Sequence, residues 1–231
     1  MAFRSLQPQS GRGRQAEARR NDLVVLEAAR DVFAAQGADA PIAAVAARAG
    51  VGVGTLYRRY GSKTELLQRL CVLAMEQALA AAGDALAASD PWDGLSGYIA
   101  ACVELRSGAL AALAGQLETT AEMNGTARRS MDRLDELVAR AQAAGCLRAD
   151  VTALDISWLI EQFSRRPPGP LEDTAERGIR SRLVAIALDG LRARPGLVPG
   201  GPGSLPGPAP DRRDYVNRWS PPSSAGPVLG L

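Results

Sequence analysis

Apolar residues recur at helical spacing along most of this chain, and glycine or proline separates one such segment from the next. A first amphipathic segment covers residues 21–36, where Leu26, Ala29 and Phe33 share one face and Gly37 follows as a stop signal. Further segments with the same period follow as far as residue 192. The pattern therefore predicts an all-α fold.

The segment 42–49 is followed by a glycine-containing corner and a second short helix. One face of the segment consists of residues at positions i, i+3, i+4 and i+7, namely Ile42, Val45, Ala46 and Ala49. Gly50 then suits the left-handed backbone of a sharp corner between helices. The second helix presents small and hydrogen-bonding residues, namely Val53, Gly54, Thr55, Tyr57 and Arg58. This arrangement is typical of a helix-turn-helix that enters a DNA major groove.

The rest of the chain divides into a long helix, a helical domain and two unusual ends. Ser62 and Glu65 form an S-x-x-E capping box, which predicts a long helix that ends before Pro91. Five more helices are predicted, at 92–106, 109–118, 120–144, 152–165 and 172–192. We expect four regions: a flexible basic arm at 1–19, a helix-turn-helix domain at 20–66, a helical domain at 67–194, and a disordered tail at 195–231. The tail holds 9 of the 15 prolines, which disfavours a packed helix there.

The amino-acid composition excludes several kinds of catalytic and metal site, but it says little about binding partners. The net charge of +2 is too small to indicate nucleic acid by itself, although residues 1–20 are rich in arginine. The chain has no histidine, which excludes a histidine base and a histidine-ligated metal, so we expect no enzyme, no metal and no cofactor. Cys71, Cys102 and Cys146 show neither metal-ligand spacing nor a disulfide framework; we interpret them as small buried side chains, with a redox sensor as the alternative.

The sequence also predicts where the protein works. We find no apolar stretch of the roughly 18 residues that a membrane span needs. The N-terminus is polar and basic and has no apolar core of a signal peptide. A cytoplasmic location is therefore expected.

The chemistry of the 53–63 region suits DNA. Thr55 and Tyr57 can donate hydrogen bonds to phosphates, and Lys63 places a cation beside a helix N-terminus that already favours anions. Arg58 and Arg59 can reach a phosphate or a guanine edge. The alternative is an ordinary helical hairpin whose basic residues only face solvent.

Three stretches resemble the TetR family of bacterial transcriptional regulators. The run from Ala46 to Leu66 has the pattern A-x-x-A-G-V-G-V-G-T-L-Y-R-R-Y-G-S-K-x-x-L, which is similar to that family's DNA-binding motif. The run from Leu26 to Gly37, L-E-A-A-x-x-V-F-A-x-x-G, is similar to its first helix. The run from Ala141 to Ile156, A-x-x-A-G-x-L-R-x-D-V-T-x-x-D-I, is similar to a segment of the ligand domain in one branch.

The resemblance implies a homodimer that binds a palindromic DNA operator and responds to a small-molecule effector. It implies that Thr55, Tyr57 and Lys63 contact phosphates, and that the groove-facing residues are Val53, Gly54 and Arg58. Arg59 stands where histidine is common in the family and could add a phosphate contact. Repression is the family default, with release by a small, apolar effector. The alternative function is a helical small-molecule-binding or scaffold protein without DNA-binding activity.

The resemblance also implies a ligand pocket and a dimer interface in the helical domain. Candidate pocket residues are large or soft side chains that could equally be plain core: Leu73, Trp92, Tyr98, Cys102, Met123, Met131 and Trp158. The last predicted helix carries an apolar stripe that suits a four-helix dimer bundle: Leu183, Ile186, Ala187, Gly190 and Leu191.

Overall fold

The computed structural model describes residues 11–165, 172–194, 196, 200–201 and 203–219. These residues form helices, and the β-structure among them is limited to one isolated bridge. In chain order the helices are α1 (Gly11–Gln36), α2 (Ile42–Ala49), α3 (Val53–Tyr60), α4 (Lys63–Ala87), α5 (Pro91–Glu104), a 3-10 helix (Ser107–Leu113), α6 (Ala121–Ala143), α7 (Ala153–Ser164), α8 (Asp173–Leu191) and α9 (Arg212–Asn217). The chain divides into two compact units, Met1–Leu66 and Leu67–Leu231.

The first unit is built from α1, α2, α3 and the beginning of α4. Its core contains the apolar stripe predicted for α1 and α2, and Leu26, Ala29, Phe33 and Val45 are fully buried. Leu56 of α3 is also buried, so α3 contributes a single narrow face to this core. Burial of these side chains fixes the three helices around the glycine corner.

The second unit packs the remaining helices around one apolar core. Leu95 and Ile99 of α5, Leu134 of α6 and Ile156 of α7 are at its centre, and each is almost completely buried. Helices begin here where capping side chains satisfy the first backbone amides: Asp90 accepts from Asp93 N–H at 2.8 Å, and Thr152 and Asp155 form a complete capping box.

Two glycines allow helices of the second unit to approach closely. A Cβ added to Gly94 of α5 would lie 2.4 Å from the carbonyl oxygen of Ala85 in α4. A Cβ added to Gly108 of the 3-10 helix would lie 2.4 Å from Cα of Glu161 in α7. Glycine is therefore required at both positions by backbone contact rather than by backbone conformation.

Three predictions about the helices need correction. Helix α1 begins at Gly11 and not at Asn21, so it includes part of the arm predicted for 1–19; residues 1–10 lie outside the described residues. A 3-10 helix over Ser107–Leu113 replaces the helix predicted at 109–118. Helix α4 is long and apolar enough to cross a membrane by length and composition, contrary to the sequence-based expectation. Because Leu66, Leu70 and Cys71 of α4 are buried within the protein, we interpret it as a core helix.

The predicted disordered tail also contains structure. Residues 203–219 are described, and they include the short helix α9. Two residues of the second unit hold the start of this segment: Arg148 donates to Gly203 O at 3.0 Å, and Asp150 accepts from Leu205 N–H at 2.8 Å. Arg148 and Asp150 are themselves a buried ion pair at 2.8 Å. The prediction of a tail without packed structure is therefore wrong for 203–219, and residues 220–231 lie outside the described residues.

Candidate nucleic-acid interface and ligand cavity

The corner between α2 and α3 has the predicted backbone geometry. Gly50 adopts a left-handed conformation with φ of 68°, and its N–H bonds back to carbonyls of α2. The next amide, Val51 N–H, donates to Ala46 O at 3.0 Å, so the last carbonyls of α2 are satisfied within the corner. The result is a tight turn that sets α3 at a defined angle to α2, as a helix-turn-helix requires.

One face of α3 is exposed and carries the residues predicted to contact DNA. The side chains of Val53 and Tyr57 are 37% and 46% exposed, and Gly54, Thr55 and Arg58 are exposed as well. No atom lies within 4 Å of a Cβ built on Gly54, so the backbone there is open to an approaching surface. Apolar, hydroxyl, phenol and guanidinium groups thus share one exposed surface of the helix.

Arg59 and Tyr60 are held by an acidic residue of α1. Arg59 Nε lies 2.7 Å from Asp22 Oδ1, and the Tyr60 hydroxyl donates to the same carboxylate. Tyr60 is buried, so this contact attaches α3 to α1 beneath the exposed face. The sequence suggested Arg59 as a phosphate contact; the structure places its side chain in an intramolecular ion pair.

Lys63 lies at the first turn of α4, beside the cap predicted from the sequence. Glu65 N–H donates to Ser62 Oγ at 3.1 Å, and the two side chains contact each other at 3.3 Å. The Lys63 ammonium is 5.7 Å from the centre of the Phe33 ring, an additional attraction that positions it. A cation and a helix N-terminus therefore coincide at this point.

The second unit contains a cavity of about 230 Å³ lined by residues of α4, α5, α6, α7 and α9 together with the 3-10 helix. Four of the predicted pocket residues line it: Tyr98, Cys102, Met123 and Met131. The other three do not. Leu73 and Trp92 are buried in the core, and Trp158 packs against Tyr215 with ring centres 5.8 Å apart.

Several lining residues were not predicted, and the most informative ones come from the C-terminal segment. Tyr215, Val216, Arg218 and Trp219 all line the cavity, as does the buried Glu161 of α7. The Arg218–Glu161 pair joins residues 57 positions apart, so no local pattern could have revealed it. A cluster of two aromatic residues and an arginine within an otherwise Pro/Gly-rich tail was the one available signal.

Most of the cavity wall is uncharged at neutral pH. Burial raises the pKa of the Cys71 thiol to about 12 and that of the Cys102 thiol to about 11. Burial likewise raises the pKa of Tyr98 well above its usual value. The wall therefore combines methionine, thiol and phenol groups with a single charged pair, a surface suited to a largely apolar ligand.

Two of the five residues of the predicted dimer stripe on α8 are exposed. Leu183 is 45% and Ile186 is 59% exposed, and Ile179, which was not predicted, continues the same face one turn earlier. Ala187 and Gly190 are half-buried. Leu191 is buried in the core of its own subunit, so its assignment to the interface is wrong.

The first unit thus has the fold and the exposed surface of a helix-turn-helix DNA-binding domain, joined to a helical domain with a cavity. Residues 25–70 match the family model described as bacterial regulatory proteins, tetR family. Residues 90–193 match the model for the C-terminal domain of SbtR-like transcriptional regulators. The chain belongs to the TetR family of transcriptional regulators.

Solved structures agree with this assignment. The chain is similar to a TetR transcription regulatory protein from Mycobacterium vanbaalenii, with 32% identity, 78% of this chain and 99% of that chain covered, and a TM-score of 0.54. A TetR transcriptional regulator from Streptomyces coelicolor has 24% identity over 74% of this chain and 98% of its own, with a TM-score of 0.54. A ketosteroid transcriptional regulator of Mycobacterium tuberculosis has 22% identity over 81% and 98%, with a TM-score of 0.52. The last two share the fold alone. No curated protein sequence matches the chain significantly.

Proposed function

We propose that this regulator is a ligand-responsive repressor that binds a palindromic operator as a homodimer in the cytoplasm and is released by a small, largely apolar effector. The exposed face of α3 carries the proposal. It combines Tyr57 and Arg58 as donors with Gly54, whose missing side chain allows close approach of the backbone. Such a face is of little use to a scaffold protein but suits a duplex groove.

The roles of the individual residues follow from their positions. Thr55, Tyr57 and Lys63 contact phosphates and set the register, and Val53, Gly54 and Arg58 meet base edges. Arg59 stays with Asp22 and contributes by holding α3 in place.

The exposed stripe on α8 supports the homodimer. Ile179, Leu183 and Ile186 lie on one helical face, and contiguous exposed apolar residues mark protein interfaces. Pairing this face with its copy gives a two-fold dimer, and a two-fold dimer requires an operator with matching symmetry.

Effector control follows from linkage between two conformations. Two recognition helices must be about 34–36 Å apart to enter successive major grooves. Helix α4 is continuous from Lys63 to Ala87, and Cys71 and Met75 of this same helix line the cavity. An effector that binds better to a dimer with another spacing weakens operator binding. By linkage, the operator weakens effector binding by the same factor.

The test is the salt dependence of duplex binding, measured by fluorescence anisotropy with fragments selected from genomic DNA. Replacing Tyr57 and Lys63 together by alanine should weaken binding and reduce the slope of log K against log salt by about 2 for the dimer, since each protomer loses one cation, Lys63. Arg48→Ala is the control, because Arg48 is an exposed arginine of the same unit that pairs with Asp31 at 2.8 Å. If the wild-type chain binds no duplex at all, the proposal fails and a helical ligand-binding protein without DNA-binding activity replaces it.

A further inference from the structure

The C-terminal segment 203–219 lies beyond the second family match, which ends at residue 193. The segment is held against the rest of the second unit at three places: at its start, at Arg212 and at its end. Its start is bound by Arg148 and Asp150, and Arg212 pairs with Asp135 at 2.6 Å. Its end is bound by Glu161, which accepts from Arg218 at 2.5 Å. The segment therefore follows a defined path to the cavity.

The last contact is the most completely built. Glu161 is 2% exposed, and a carboxylate buried this deeply needs a cationic partner. Two arginines supply the charge. Arg165 pairs with one carboxylate oxygen of Glu161 at 2.9 Å, and Arg218 pairs with the other. Arg218 also lies over aromatic rings, 4.3 Å from Trp158 and 4.5 Å from Tyr215. Tyr215 also meets Trp158 edge to face. Charge, hydrogen bonding and ring packing thus fix the end of the segment together.

The segment lines the cavity without filling it. Tyr215, Val216, Arg218 and Trp219 all border the space, and about 230 Å³ stays open with the segment in place. A plug would have occupied that volume. A ligand inside would therefore contact the segment as well as the helical body.

Arg218 brings a guanidinium group to the cavity wall. One terminal nitrogen, Nη2, donates to Glu161, and the buried Nε has no hydrogen-bond partner among the described residues. Since a guanidinium carries five N–H donors, Arg218 keeps donors on its terminal nitrogens that Glu161 does not use. Tyr98, Met123 and Met131 also line the cavity, and their side chains make the surface around it largely apolar.

We propose that segment 203–219 supplies one wall of the ligand site and that Arg218 donates to an acceptor on the ligand. The ligand class is a ring compound with an apolar body and one carbonyl or carboxylate group. Calling this ligand the effector rests on the proposed function; its binding to the cavity does not. Tyr215 and Trp219 contact its ring, and Glu161 is a positioning residue that holds Arg218.

Three naphthalene probes test the assignment in the full-length protein without DNA: 2-acetylnaphthalene, 2-naphthoate and 2-ethylnaphthalene. Calorimetric titration of the wild type should give at least about tenfold tighter binding for the two probes with an acceptor than for the ethyl compound. Arg218→Met, which keeps the length and removes the donors, should abolish that preference. Arg213→Met is the matched control on the same short helix, since Arg213 is exposed and outside the cavity wall, and it should leave all three affinities unchanged.

Two further variants distinguish a segment that forms a wall of the ligand site from a segment that blocks the cavity. Trp219→Ala should weaken all three probes by a similar factor, because it removes ring contact and not the donor. Glu161→Gln should act through Arg218, so its effect and that of Arg218→Met should not add. Equal affinities of all probes in every variant, tighter binding by Trp219→Ala, or no probe binding by the wild type would each overturn the proposal.

Thiol labelling gives an independent measure of the docked segment. Cys71 and Cys102 line the cavity and are almost completely buried. Maleimide should label them faster in Trp219→Ala and Glu161→Gln than in the wild type or Arg213→Met, at a temperature well below the melting temperature of every variant. Equal labelling rates would contradict the wall assignment. Because no DNA is present, a chain that fails to bind an operator can still pass these tests, and the reverse holds as well.

Discussion

Two tyrosines of α3, three positions apart, have opposite surroundings. The hydroxyl-bearing ring of Tyr57 is 46% exposed, whereas Tyr60 is buried and donates to Asp22 of α1. Tyr60 lies one turn after the buried Leu56 and shares its face, whereas Tyr57 lies at the edge of the exposed face. The identity of the acceptor could not be predicted, because Asp22 is 38 residues away in the sequence.

Because of this difference, replacing tyrosine by phenylalanine should affect different properties at the two positions. Tyr60→Phe should lower the free energy of unfolding by about 1–2 kcal/mol, because the Asp22 carboxylate loses a hydrogen bond. Tyr57→Phe should leave unfolding unchanged within about 0.5 kcal/mol and weaken duplex binding. Urea unfolding and anisotropy titration measure the two effects. A Tyr57→Phe protein that binds DNA like the wild type would remove the hydroxyl from the phosphate contacts.

Asp150 predicts a dependence of stability on pH. The hydrogen bond and charge of Arg148 hold the pKa of Asp150 well below its usual range, although burial opposes the shift. A lowered folded-state pKa means that the stabilisation is complete above the unfolded value, about 4, and decreases as the pH falls below it.

The Asp150→Asn variant isolates this contribution. The difference in unfolding free energy between wild type and variant should be constant from pH 5 to 7 and shrink below pH 4, by up to about 1.4 kcal/mol per pH unit. Urea is the suitable denaturant, because it does not screen the ion pair. A difference that does not change between pH 7 and 3 would contradict the role assigned to the Arg148–Asp150 pair.

At the scale of helices, local signals were predictive and contacts between distant elements were not. Gly50 and the Ser62–Glu65 box lie where the sequence placed them, because each depends on residues within one turn. The 3-10 helix was not predicted. Its geometry depends on Gly108 packing against α7 and on the bond from Gly108 N–H to Ser164 at 3.2 Å.

Two glycines of α5, Gly94 and Gly97, provide a paired test of the close contact between α4 and α5. Gly94→Ala should destabilise the protein by about 1–3 kcal/mol, since the new methyl would meet the Ala85 carbonyl at 2.4 Å. Gly97→Ala should stabilise it by about 0.5–1 kcal/mol, because Gly97 is an exposed helical position with nothing within 4 Å of a Cβ. Thermal or urea unfolding of both variants gives the comparison. Equal effects would show that α4 and α5 are not in this close contact.

At the scale of the whole molecule, the sequence missed the structure within the C-terminal tail. A Pro/Gly-rich composition correctly disfavours long helices, yet it says nothing about a few anchors such as Tyr215 and Arg218. These residues dock on Trp158 and Glu161, which the sequence places in a different helix. Long-range complementarity of this kind has no signature in local periodicity.

The dimer proposal also belongs to this scale. Leu183→Asp combined with Ile186→Asp should convert the dimer to monomers and abolish tight operator binding, because buried charges would face each other across the two-fold axis. Ser181→Asp, an exposed position on another face of α8, is the control and should leave the dimer intact. Sedimentation velocity measures the outcome. A wild-type chain that sediments as a monomer at micromolar concentration would contradict the proposed interface.

Selection of bound DNA fragments measures whether this regulator recognises an operator with two-fold symmetry. Fragments of genomic DNA are selected by the purified full-length protein at physiological salt, and the bound fragments are then footprinted. We expect a few enriched fragments whose protected site has two-fold symmetry, with half-sites about 34–36 Å apart. Binding to these should be at least about 10³-fold tighter than to unrelated duplex. Fragments recovered without enrichment, or protection without symmetry, would contradict the proposed function.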